Sequence, residues 1–160
     1  NFYFTKTMKT IYKHILWWFT FPFIAIFNAI LRELIYKKPL GDLAAHQIST
    51  ATGILFFGII FYFIFKKWKI ESAKHAILVG VIWLGLTILF KFGFGHYIMG
   101  NPWQKLLHDY NLAEGRVWSL FLLWITIAPF VFYKIIPTRI NRIALIINFQ
   151  GFFLFPFTFQ

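Results

Sequence analysis

Arg32, Glu33, His46, Asn101, Asp109, Asn111 and Arg116 are the side chains whose chemistry most asks for an explanation in this sequence. Arginine pairs with anions in a two-pronged fashion, amides orient polar groups, and a histidine beside a carboxylate can exchange a proton near neutral pH. Asn28, Gln47, Lys91, His96, Tyr110 and Glu114 belong to the same polar set. Ionisable groups are costly in hydrocarbon and persist there when paired, wet or functional. On the topology developed below, all of them fall toward one membrane face. This predicts one shared pocket that binds a small polar or anionic molecule or a lipid headgroup.

Local spacing sharpens the expectation. Asn28, Arg32 and Tyr36 share a helical face, whereas Glu33 points about 100° away from Arg32. Arg32 and Glu33 are therefore expected not to neutralise one another, each finding a partner on another helix. His46, Ser49, Thr50 and Gly53 follow an i, i+3, i+4, i+7 pattern and form a bundle-facing stripe. Its small members permit close helix approach, its hydroxyls are expected to bond across the interface, and His46 is placed to pair with Glu33 or Asp109. No HxxxH or HExxH spacing fixes two ligands on one face, so neither a metal nor a cofactor is expected. Ser49 lacks a nucleophile elbow, and the glycines between Phe92 and Gly100 lack the strand and the Gly-Lys-Ser/Thr of a phosphate loop. Proton abstraction by Asp109 or Glu33 stays chemically open, but no spacing assigns a catalytic residue.

The elements that position these residues are apolar helices. The chain has 160 residues, 59% of them hydrophobic and 23% aromatic, with only 13% charged. A soluble domain carries roughly 25% charged residues, so the composition is that of a membrane protein. The net charge of +11 is not a nucleic-acid signal, because the lysines sit in short loops beside apolar runs, where they meet anionic headgroups and set orientation. There is no cysteine, which excludes disulfides and thiolate-ligated metals.

Residues 15–36, 44–65, 75–94 and 117–135 are long and apolar enough to span about 30 Å of hydrocarbon. The fold class expected is all-α: a polytopic membrane four-helix bundle forming one domain over residues 1–136. Pro39 and Gly41 stop and turn the chain between the first two spans. Pro102 opens a short helix over residues 103–109, expected to lie in the membrane interface between the third and fourth spans. Asn111 with Glu114 resembles a capping box leading into the fourth span. In that span Thr126 and Pro129 predict a mild bend.

Lys6, Lys9 and Lys13 before an apolar run imitate a signal peptide, but the run is too long for one and lacks a small-residue cleavage site. Met8 is the expected start, with residues 1–7 an upstream extension without structural role. The apolar tail 137–160 is open to two readings, since 143–160 is close to the minimum length of a span and is interrupted by Asn148, Gln150, Gly151 and Pro156. It is either a fifth span or an interfacial or disordered tail.

Most Lys and Arg flank one side of these spans, including Lys9, Lys13, Lys66, Lys67, Lys69 and Lys134, which predicts that this side and the N-terminus are cytoplasmic. The 37–43 and 95–114 connections then lie outside.

The segments Asn28-Ala29-Ile30-Leu31-Arg32-Glu33, Ala44-Ala45-His46-Gln47, Phe92-Gly93-Phe94-Gly95 and Asp109-Tyr110-Asn111-Leu112-Ala113-Glu114-Gly115-Arg116-Val117-Trp118 together resemble a widespread family of small bacterial membrane proteins with four predicted spans. The resemblance covers residues 8–136. It implies the helical fold and a bacterial inner-membrane location, and it carries no mechanism. Such proteins often have an acid where this chain has Lys91.

Three functions compete at this point. The first is binding of a polar or anionic small molecule or lipid in the outer pocket. The second is an integral-membrane enzyme acting on a lipid or isoprenoid, which requires Asp109 or Glu33 within hydrogen-bond reach of His46. The third is a structural or assembly subunit, alone as an oligomer or with a membrane-protein partner. Membrane lipids are partners in all three and nucleic acid in none. A transport pathway fits four spans without an inverted repeat poorly.

Overall fold

The computed structural model describes residues 2–136; the tail 137–160, with its candidate fifth span, lies outside them. All regular structure among the described residues is helical. Three helical runs are long and apolar enough to cross a membrane: Met8–Lys67, Ala73–Ile98 and Trp118–Ile135.

The first run is not one rod. Helix α1 spans Phe2–Trp18, so residues 2–7, expected to have no structural role, are helical. Helix α2 spans Phe21–Leu31. The segment 15–36, expected as one continuous span, is broken between them. Pro22 lacks an N–H and crowds the preceding turn, and the chain tightens there, with Phe19 N donating to the Leu16 carbonyl at 3.2 Å and Thr20 N to that of Trp17 at 3.0 Å. After Leu31 the helix widens over Arg32–Tyr36, where Lys37 N bonds back to the Arg32 carbonyl. Helix α3, Lys37–Lys67, follows without a loop, but Gly41 has φ 78° and ψ 171°. That left-handed, extended geometry suits glycine alone, and the chain reverses there as Pro39 and Gly41 predict. Asn28 Nδ2 then donates to the Ser49 carbonyl at 2.7 Å, tying α2 to the returning α3.

Ser72 caps helix α4, Ala73–Gly93, by accepting from His75 N. A second widened turn, Phe94–Ile98, ends it. Helix α5, Trp103–His108, confirms the short helix after Pro102, with that proline one residue before the first turn. Helix α6 spans Trp118–Ile135 and contains Pro129, and Thr126 Oγ1 donates to the Leu122 carbonyl at 2.7 Å. Gly80 lets α4 and α6 touch backbone to backbone, since a Cβ there would lie 2.1 Å from the Thr126 carbonyl oxygen.

The core is aromatic. Trp83 is fully buried, with ring centres of Phe21 and Phe61 each 4.9 Å away. Its indole N–H donates to the His14 carbonyl at 3.0 Å, and that of Trp18 donates to Thr87 Oγ1 at 3.0 Å, so both buried indoles are satisfied and α1 is fastened to α4. Large apolar side chains cover the outside, with Phe23 74% and Leu89 70% exposed. In water such a surface would be a liability; against lipid it is the ordinary finish.

Candidate functional site

The break at Phe19–Thr20 separates α1, which follows α4, from α2, which follows α3. A cleft opens as a result. Its cavity is about 650 Å³, with Pro22, Ala25, Ile26 and Ala29 of α2 facing Phe90 and Lys91 of α4 and Phe94 of the widened turn that follows it. His46, Ser49, Thr50, Gly53 and Phe57 of α3 form the floor with Trp118, Phe121 and Ile125 of α6. Trp18 and Thr87, joined by their hydrogen bond, line its apolar part together with Phe21.

The other end is charged. Arg32, Glu33 and Lys37 come from the widened turn after α2 and the start of α3, Lys91 from α4, and Asn101, Lys105 and Asp109 from the segment around α5. Arg32, His46 and Asp109, far apart in sequence, thus line one cavity. Both widened turns supply residues to it, Arg32–Tyr36 on one wall and Phe94–Ile98 on the other. Such i+5 turns push side chains out of the regular helical register and recur at functional sites.

Five of the seven candidate residues therefore meet: Arg32, Glu33, His46, Asn101 and Asp109. Asn111 and Arg116 do not line the cavity. Arg116 Nη2 donates to Asp42 Oδ2 at 2.7 Å, and Asp42 also lies 3.5 Å from Lys37 Nζ, so the arginine braces the start of α3 against the approach to α6. Gln47 Nε2 supports the same joint by donating to the Gly115 carbonyl at 3.1 Å. Asn111 Nδ2 donates to Glu114 Oε1 at 2.7 Å, and the Asn111 carbonyl accepts from Arg116 N and Glu114 N, both at 3.1 Å. Glu114 also pairs with His108. This closes the short 3-10 turn Leu112–Glu114 rather than capping α6, which begins at Trp118.

Several expectations about pairing are corrected. Arg32 and Glu33 do bond to each other, at 3.1 Å, and Glu33 takes Lys37 at 2.9 Å, so neither turns to a distant helix. Long side chains bend around the widened turn and cancel the angular separation of a regular helix. The Ser49 and Thr50 hydroxyls donate to the carbonyl of His46 at 3.0 and 2.9 Å, back along their own helix instead of across the interface. The cross-helix bonds come from Asn28 and from Thr52, whose hydroxyl donates to Asn28 Oδ1 at 3.1 Å. His46 is 3% exposed, and its Nε2 has no hydrogen-bond partner among the described residues. Neither Glu33 nor Asp109 bonds to it, so the acid–base couple required by the enzyme reading is not formed.

Asp109 pairs instead with Lys91, Nζ to Oδ2 at 2.7 Å, and the same ammonium lies 4.2 Å from the centre of the Trp118 ring and 5.5 Å from that of Tyr110. Opposite charge and two π faces replace the water that Lys91 loses. Lys37, Lys91 and Lys105 are cations of the cavity that the seven candidate residues did not include. Lys91 carried the clearer signal, as a charge inside the apolar run of α4. Lys105 Nζ donates to Asn101 Oδ1 at 2.9 Å, and Asn101 also receives His96 Nδ1 on its carbonyl at 2.9 Å, with the His96 ring stacked 4.2 Å from Trp103. Gly95 permits this fold, since a Cβ there would lie 2.8 Å from Leu106 Cδ2. Burial pushes the Tyr110 phenol above its ordinary value of 10.0, opposed in part by the Trp118 indole.

The arrangement can hold an elongated molecule with unlike ends. Protein-family models, curated proteins and solved structures give no match to this chain, so the cleft is interpreted from its own geometry.

Proposed function

We propose that this chain is a small polytopic protein of the bacterial inner membrane that binds an amphiphile in the cleft between α2 and α4, its anionic head beside Arg32, Lys91, Lys105 and His46. In this reading the end of α1 together with α2, then α3, α4 and α6, cross the membrane as a four-helix bundle and α5 lies in the outer interface. The N-terminus is cytoplasmic, as the excess of Lys and Arg on that side favours. One observation carries the proposal: a cavity of about 650 Å³ that is charged at one end and walled by Phe21, Ile26, Phe57 and Phe90 toward the other. Small-molecule sites have this size and this mixture of apolar walls with a few placed polar groups. Four cations, Arg32, Lys37, Lys91 and Lys105, stand against two carboxylates, Glu33 and Asp109, among the described lining residues, which favours an anion.

The test is the lipid content of the purified protein by mass spectrometry. The wild type and Arg116→Ala are expected to retain an anionic amphiphile and Arg32→Ala to lose it, because Arg32 lines the cleft and Arg116 braces the fold outside it. Equal retention in wild type and Arg32→Ala overturns the proposal.

A further inference from the structure

Resting on that reading, we infer that the cleft selects a single-chain amphiphile ending in a phosphate monoester and takes it in sideways from the bilayer. Charge argues for the head. The described lining residues carry an excess of two cations, and a phosphate monoester brings a charge of about −1.5 to −2 at neutral pH, whereas a carboxylate or a phosphodiester brings one. Its oxygens also exceed those of a carboxylate in number, which suits a site where guanidinium, two ammonium groups and the Asn101 amide approach from separate segments. His46, almost completely buried and with Nε2 unpartnered, lines the same cavity. A buried polar atom of this kind ordinarily has a partner.

Shape argues for the tail. The cavity lies within the range of about 300–1,000 Å³ that accommodates one drug-sized molecule, the bulk of a head and one slim chain rather than of two acyl chains. Its apolar lining includes Trp18 and Thr87, joined by their hydrogen bond, and residues of both α2 and α4. The outer faces of these helices are apolar, with Phe23 and Phe27 of α2 and Leu89 of α4 all more than half exposed. A chain already in the bilayer therefore meets no polar barrier between these helices, while its head stays level with the charged end.

The experiment uses the full chain in nonionic detergent, with binding followed by native mass spectrometry and thermal stability. The probes are hexadecyl phosphate, palmitate, dipalmitoyl phosphatidylglycerol and inorganic phosphate. Hexadecyl phosphate is expected to bind one to a chain and to raise the melting temperature, with palmitate and phosphatidylglycerol weaker by about tenfold or more. Arg32→Gln and Lys105→Gln should each weaken hexadecyl phosphate by about tenfold. Ala25→Trp, which fills the apolar wall, should do the same with helicity unchanged by circular dichroism, and if that variant does not fold, Arg32→Gln decides. Palmitate or phosphatidylglycerol binding as tightly as hexadecyl phosphate overturns this selectivity and leaves amphiphile binding standing. Displacement of hexadecyl phosphate by an equal concentration of inorganic phosphate overturns the role of the chain. Failure of every amphiphile to bind removes both readings.

Discussion

Lys91 Nζ lies 2.7 Å from Asp109 Oδ2 and 4.2 Å from the centre of the Trp118 ring, so one ammonium joins α4, the end of α5 and the start of α6. The side chains of the pair are 14% and 26% exposed, so water can only partly take over either charge when the other is removed. Asp109→Asn or Lys91→Met alone is expected to cost about 2 kcal/mol. Lys91→Met combined with Asp109→Leu should cost less than the two single changes summed, because no charge is then left alone. Reversible unfolding in mixed micelles measures all three.

Gly80→Ala is expected to lower stability by about 1–3 kcal/mol, since the new methyl would meet the backbone of α6 at Thr126, which cannot rotate aside. Gly85→Ala, on the same helix but facing open space, should not destabilise. Thermal melts of the two variants make the comparison.

Tyr110 sets an alkaline limit. Because burial raises its phenol above 10.0, the folded state favours the neutral form, and its contribution is complete below that value and lost as pH rises through the higher folded one. Tyr110→Phe should therefore flatten the fall in melting temperature on the alkaline side. Phenolate absorbance should show a late-titrating tyrosine in the wild type, and that late component should vanish in the variant.

Orientation can be tested directly, because the native chain contains no cysteine. Gln104→Cys on α5 is expected to react with an impermeant maleimide added to intact spheroplasts, and Lys66→Cys only after permeabilisation. The reverse pattern would invert the proposed topology.

Periodicity and hydropathy made the helices readable because lipid leaves the backbone few alternatives. The reversal at Pro39 and Gly41, the helix after Pro102 and the buried stripe of His46, Ser49, Thr50 and Gly53 all follow from residue type and spacing. Pro22 was equally visible, yet its effect was missed within an apolar run that looked continuous. Side-chain pairing was harder to read. Arg32 and Glu33 lie on different faces of an ideal helix, but the helix is not ideal there, and a widened turn is set by packing rather than by a local motif. The gathering of Arg32, His46, Asn101 and Asp109 was inferred from topology. That Arg116 and Asn111 serve as braces depends on Asp42 and Glu114, whose reach no periodicity reports.

The inward-folded hydroxyls of Ser49 and Thr50 bear on how deep a guest can travel. Their protons are committed to the His46 carbonyl, so to a passing anion these two side chains offer lone pairs and repel it. On the proposed amphiphile-binding reading, a negative terminus is therefore expected to stop short of Ser49 and Thr50 while its hydrocarbon runs past them, which would fix the register of the bound molecule.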